Sequence, residues 1–129
     1  MLRLSRQVDY GVRFLVQLSQ QGKEHPLSLR QFAEHNGVSF LFMQHVVGDL
    51  RRAGLVNASR GARGGYRLAC DPASTNVLDV YRALEGDEGI LPCMAGGCAY
   101  ETNCVSKKGM HGINWKISQL LFSTKLSDF

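Results

Sequence analysis

Three cysteines lie close together near the middle of the second half of the chain: Cys93 and Cys98 enclose four residues, and Cys98 and Cys104 enclose five. Gly96 and Gly97 stand between them and let the backbone fold around a central ion. Three thiolates from one short loop form a soft, negatively charged nest suited to an iron-sulfur cluster or to zinc. Unligated thiols or a local disulfide are the plainer alternative, and the lack of an export signal weighs against the disulfide. A fourth ligand is normally required; His111 is the candidate within the segment, and carboxylates elsewhere compete with it. Cys70 stands apart beside Ala69 and reads as a small buried hydrophobe.

A second chemistry resides in arginine. Arg51, Arg52, Arg60, Arg63 and Arg67 fall within seventeen residues that contain no Asp or Glu, so a local positive surface is expected. Arg60 and Arg63 flank glycines in Arg60-Gly61-Ala62-Arg63-Gly64-Gly65, where the backbone can approach phosphates or a narrow minor groove unobstructed. The alternative is a solvated hairpin tip. The formal net charge of +4 over 129 residues agrees with an anionic partner without identifying it.

The elements that would hold these groups are legible from periodicity. Val8, Val12, Leu15 and Leu18 predict a first helix over Leu4 to Ser19. Ser28 caps a short second helix through Glu34, with Leu29, Phe32 and Ala33 inward, and Asn36-Gly37 stops it. Ser39 caps a third, whose stripe is Met43, Val46, Val47 and Leu50 and whose end is Ala53-Gly54. Gln44 and His45 then face away from the core, where hydrogen-bonding groups reach base edges. Phe40, Leu41 and Phe42 are unusually apolar for that end of the helix. Asp49 lies near the same surface and is a mild electrostatic cost unless Arg51 or Arg52 neutralises it.

Leu55 to Ser59 and Tyr66 to Ala69 predict two strands around the arginine-glycine turn. Helix-turn-helix followed by such a hairpin is a winged helix, with the third helix in the major groove and the wing along the backbone or minor groove of double-stranded DNA. A fourth helix is expected from Asn76 or Val77 to about Glu85, then an irregular loop from Gly86 to Cys104 that an external group would order. Val105, Ile113, Ile117, Leu120, Leu121 and Thr124 then give the helical pattern of a long last helix, with apolar positions spaced like a seam and suited to packing against a second copy. The expected fold is mainly α with a small β-hairpin. Residues 1–75 form the winged helix-turn-helix unit and 76–129 the cluster loop and dimerisation helix, joined in one compact body. No apolar stretch suits a membrane span, and the start lacks a signal-peptide core, so a cytoplasmic protein is expected. No phosphate loop, nucleophile elbow or paired metal-binding histidines suggest an enzyme.

Together these residues resemble a known family, the small winged-helix regulators of the IscR, NsrR and RirA type, over nearly the whole chain. The resemblance is carried by Asp9-Tyr10-Gly11-Val12-Arg13, Arg52-Ala53-Gly54-Leu55-Val56, Arg60 to Leu68, and Thr124 to Phe129, together with the cysteine triplet. It implies a homodimer built on the last helix, each cluster loop lying near the partner's first helix, and DNA affinity that follows the cluster. In the IscR branch a histidine three residues after the third cysteine is the fourth ligand; here that place is Lys107. The cysteine spacing is more similar to the nitric oxide-sensing repressors of the NsrR branch, in which a first-helix carboxylate of the partner can serve, and Asp9 matches that position. The resemblance thus implies Cys93, Cys98, Cys104 and a partner Asp9 around a [4Fe-4S] cluster, with [2Fe-2S] open. The plainer role for Asp9 is a salt bridge to Arg13. Ser39, Gln44, His45 and Arg60 match the reading helix and wing, and Arg63 is an added basic residue.

Overall fold

The computed structural model describes residues 3–61, 64–94, 96 and 98–129. In order, the elements are α1 (Arg6–Gln21), α2 (Leu29–Asn36), α3 (Phe40–Arg52), β1 (Val56–Ser59), β2 (Gly65–Leu68), α4 (Val77–Glu85) and α5 (Lys107–Ser123), with 3-10 turns at Pro92–Met94 and Leu126–Asp128. The chain is mainly α with one antiparallel hairpin, as its periodicity predicts. Serines set the first three helix starts: the hydroxyls of Ser5, Ser28 and Ser39 accept from the backbone N–H of Val8, Gln31 and Phe42 at 3.3, 3.3 and 3.1 Å. Each satisfies an amide that the helix leaves without a partner. The Ser5 cap places the start of α1 at Arg6 rather than Leu4. Gly37, at φ +64°, turns its N–H back to the carbonyls of Ala33 and Glu34 and closes α2.

Val8, Val12, Leu15 and Leu18 of α1 and Met43, Val46, Val47 and Leu50 of α3 are buried in one cluster, which also contains Val77, Val80, Leu84 and Leu121 from later elements. α1 and α4 approach closely at Gly11, where an added Cβ would lie 2.6 Å from Leu84 Cδ1. Phe14 is 0% exposed and meets the rings of Phe32 and Tyr66 edge-on at 5.1 and 6.0 Å. α1, α2 and the hairpin therefore share one anchor.

The hairpin pairs Val56 with Leu68 and ends at the Ser59–Gly65 pair. It is also tied to the connector before α2, because Leu27 and Tyr66 exchange two backbone hydrogen bonds of 2.9 Å. Gly65 lies under that crossing, and a Cβ there would stand 2.5 Å from the Leu27 carbonyl oxygen. Gly65→Ala is expected to destabilise the fold by about 1–3 kcal/mol, because backbone rather than a flexible side chain must give way. Urea denaturation measures it, and an unchanged midpoint would remove Gly65 from the crossing.

After α5 the chain returns to the start of α4. Val77 N–H donates to the Thr124 carbonyl at 2.9 Å, Leu126 N–H to Thr75 at 3.0 Å and Ser127 N–H to Pro72 at 3.0 Å, with the Leu126 side chain 1% exposed. Within α5, Leu121 is buried and Ile117 packs on the core, while Ile113 and Leu120 of the predicted seam are exposed.

Candidate metal centre and nucleic-acid interface

The three clustered cysteines reach one cavity of about 260 Å³ from three places. Cys93 belongs to the 3-10 turn Pro92–Met94, Cys98 follows the glycine segment, and Cys104 stands just before α5. Met94, Gly96, Glu101, Ser106, Lys107, Met110 and His111 complete the wall. Cys93, Cys98, Cys104 and Cys70 are all free thiols of intermediate exposure. Among the described residues, no three His, Cys, Asp or Glu side chains form a group able to chelate one ion.

The α5 start favours a thiolate. Cys104 Sγ lies 3.3 Å from Ser106 Oγ. That hydroxyl, the N–H groups of Ser106 and Lys107 and the Lys107 charge together hold the Cys104 thiol below its usual value. Lys107 also pairs with Glu101 at 3.8 Å, so the residue standing where a histidine ligand would be is a cation engaged with a carboxylate.

Part of the irregular segment is ordered by the protein itself. Asn114 Oδ1, on α5, accepts from the N–H groups of Ile90 and Leu91 at 2.9 and 3.3 Å, and Tyr81 Oη donates to the Gly89 carbonyl at 3.5 Å. The sequence reading missed Asn114. Its signal was a polar residue one helical turn before Ile117, on the same inward side of α5 as Ile117 and Leu121.

Asp9 is not among the residues lining this cavity. It lies on α1 in a bidentate pair with Arg13, at 3.0 Å to Nε and 3.3 Å to Nη2. The pair raises the Arg13 pKa through the hydrogen bond and the charge of Asp9. Within one chain Asp9 therefore takes the salt-bridge role that i,i+4 spacing predicts. Cys70 packs against the core, as a small hydrophobe does.

The basic surface is formed by α3 and the hairpin. Ser39 caps α3, while Gln44 and His45 are exposed on its outer face with Arg51 and Arg52. Asp49 is neutralised by an ion pair with Arg52. The apolar triplet at the α3 start divides: Phe40 sits beneath the Arg30 guanidinium at 4.3 Å, Phe42 meets Tyr10 edge-on at 5.9 Å, and Leu41 points outward. Arg60 and Arg67 are exposed on the hairpin. Arg63, expected at its tip, lies outside the described residues.

This fold defines a class, the winged-helix transcription regulators. The chain belongs to the Rrf2 family of iron-dependent transcriptional regulators, which it matches over residues 4–129. The Rrf2 protein of Nitratidesulfovibrio vulgaris Hildenborough is 34% identical over 92 residues, 71% of this chain and 61% of that protein. CymR of Bacillus subtilis strain 168 is 36% identical over 85 residues, 66% of this chain and 62% of CymR. The chain thus matches less than two thirds of the length of both. The structure of CymR, the global cysteine regulator of B. subtilis, gives a TM-score of 0.81 at 32% identity, covering 99% of this chain and 95% of CymR. IscR of T. potens gives 0.78 at 34% identity, with 98% and 85% covered. The family and CymR are named as transcriptional regulators, not as enzymes. No helix among the described residues is long and apolar enough to cross a membrane.

Proposed function

We propose that the chain is a homodimeric regulator that binds a double-stranded DNA operator. In this reading it responds to nitric oxide, redox state or iron-sulfur status through an iron-sulfur cluster held by Cys93, Cys98 and Cys104. The observation that carries the metal reading is the single cavity lined by all three thiols. The donor set fits: soft sulfur ligands, a thiol already lowered toward its anion, and a shared cavity whose lining includes Met94 and Met110. When bound, the cluster supplies iron that reacts with nitric oxide or oxygen.

Asp9 of the partner subunit is the fourth ligand of this proposal, with [4Fe-4S] preferred to [2Fe-2S]. A carboxylate oxygen is a weak ligand for such iron, which leaves one corner exchangeable. Asp9 must then leave Arg13, and the exposed position of that pair makes the exchange inexpensive. The exposed Ile113 and Leu120 support dimerisation through α5. For DNA, Arg60 and Arg63 would lie on phosphates or in the minor groove, with Ser39, Gln44 and His45 toward the major groove. A second reading, a structural zinc site closed by His111, is supported by the position of His111 in the cavity wall.

The test is an absorption spectrum with iron and sulfide analysis on protein purified without oxygen, followed by titration with nitric oxide. A brown protein with about four irons and four sulfides per chain, bleached by the titrant, is the expected result; about two of each would indicate [2Fe-2S]. Asp9→Ala should retain its colour but bleach faster. Bleaching unaltered in Asp9→Ala and altered in His111→Ala would transfer the fourth ligand to His111. Colourless protein holding zinc would overturn the sensing role.

A further inference from the structure

We infer that Leu41 is a base-reading residue that recognises the C5-methyl group of a thymine in the operator; the inference rests on the DNA-binding reading above. Leu41 is 64% exposed, although its neighbours Phe40 and Phe42 both pack inward against the core. Leu41, Gln44, His45 and Gly48 recur at the i, i+3, i+4 and i+7 spacing that places them on one face of α3. Leu41 lies in the first turn, and in helix-turn-helix proteins the N-terminal residues of the reading helix contact base edges.

The chemistry of that face selects the occupant. Gly48, two helical turns beyond Leu41, adds no side chain to this face, and the Arg52 guanidinium lies 3.7 Å from where its Cβ would be. The exposed Arg51 and Arg52 flank its far end, and Arg52 cancels the charge of Asp49. The face is therefore positive or neutral and suits a polyanion. A protein-docking patch would need apolar neighbours around Leu41, but those on its face are Gln44, His45 and glycine. In the major groove, the thymine methyl is the apolar group presented beside the hydrogen-bonding edges, and apolar side chains read it. Gln44 and His45 then supply hydrogen bonds on adjoining base pairs, and Leu41 separates thymine from cytosine.

The probe is the tightest-binding duplex enriched by the full-length protein, kept free of oxygen, from a random-sequence pool. Each thymine in turn is replaced by deoxyuridine, which removes the methyl and leaves the pairing edge intact. Dissociation constants are then compared for wild type, Leu41→Ala and Leu41→Met. The expected result is one thymine per half-site at which losing the methyl weakens wild-type binding about fourfold. Leu41→Ala should bind the unmodified duplex less well by a similar factor and be indifferent to the methyl there, while Leu41→Met keeps the sensitivity. If no thymine is methyl-sensitive, or the sensitive one remains so in Leu41→Ala, the inference is overturned and DNA binding stands. If no duplex is enriched at all, both readings fall.

Discussion

Cys98→Ala is expected to yield colourless protein, with bound iron and sulfide falling below about a tenth of the wild-type amount. Cys98 is the middle member of the triplet, and its loss leaves two thiols at opposite ends of the segment with no cysteine between them. Cys98 is partly exposed and lies outside the buried cluster, so thermal unfolding of the cluster-free form should be nearly unchanged. Size-exclusion chromatography should still give a dimer, because the proposed α5 seam lies elsewhere. Wild-type iron content in the variant would sink the ligand assignment. A monomer would make the cluster part of the dimer's architecture rather than a detachable sensor.

The largest effect on stability is expected at Phe14. Truncating this fully buried ring to alanine should cost about 3–5 kcal/mol, combining lost transfer energy with a cavity that the packed surroundings cannot close. A typical domain has about 5–15 kcal/mol in total, so the variant should melt far below wild type. The ring touches Phe32 on α2 and Tyr66 on β2; amide exchange should accordingly quicken in both α2 and the hairpin. A loss below about 1 kcal/mol by urea denaturation would mean that the three elements do not depend on this residue.

The elements legible in the sequence were those governed by local rules. Ser28 and Ser39 caps, the Asn36-Gly37 stop and the stripes of α1 and α3 depend on neighbours within one or two helical turns, and each was readable from spacing alone. The hairpin was read with its second strand one residue late, because Gly65 has no side chain to announce a strand; it is needed there for the close pass of Leu27. That pass joins residues far apart in sequence through backbone atoms, which composition does not record. The last helix shows the same limit. Ile113, Ile117, Leu120 and Leu121 form one apolar pattern, yet only Ile117 and Leu121 meet this chain's core, since periodicity gives the faces of a helix and not what covers each.

For the candidate site, the cysteine triplet was visible as composition, and the structure adds a shared cavity wall with His111, Glu101 and Lys107. The partner of Asp9 within the chain followed from i,i+4 spacing. The fate of Phe40, Leu41 and Phe42 was not legible, because all three are apolar. Arg30 and Tyr10, which lie on other helices, decide which rings turn in.

The backbone bonds linking Thr124 and Leu126 to residues 75 and 77 pin one end of α5 firmly, whereas its other end begins beside Cys104. Seventeen helical residues span about 25 Å. That rod is held at its last turn and, through Asn114 and Ile117, along its middle, so only the stretch from Lys107 to Ile113 is left to register a change of spacing among the thiols.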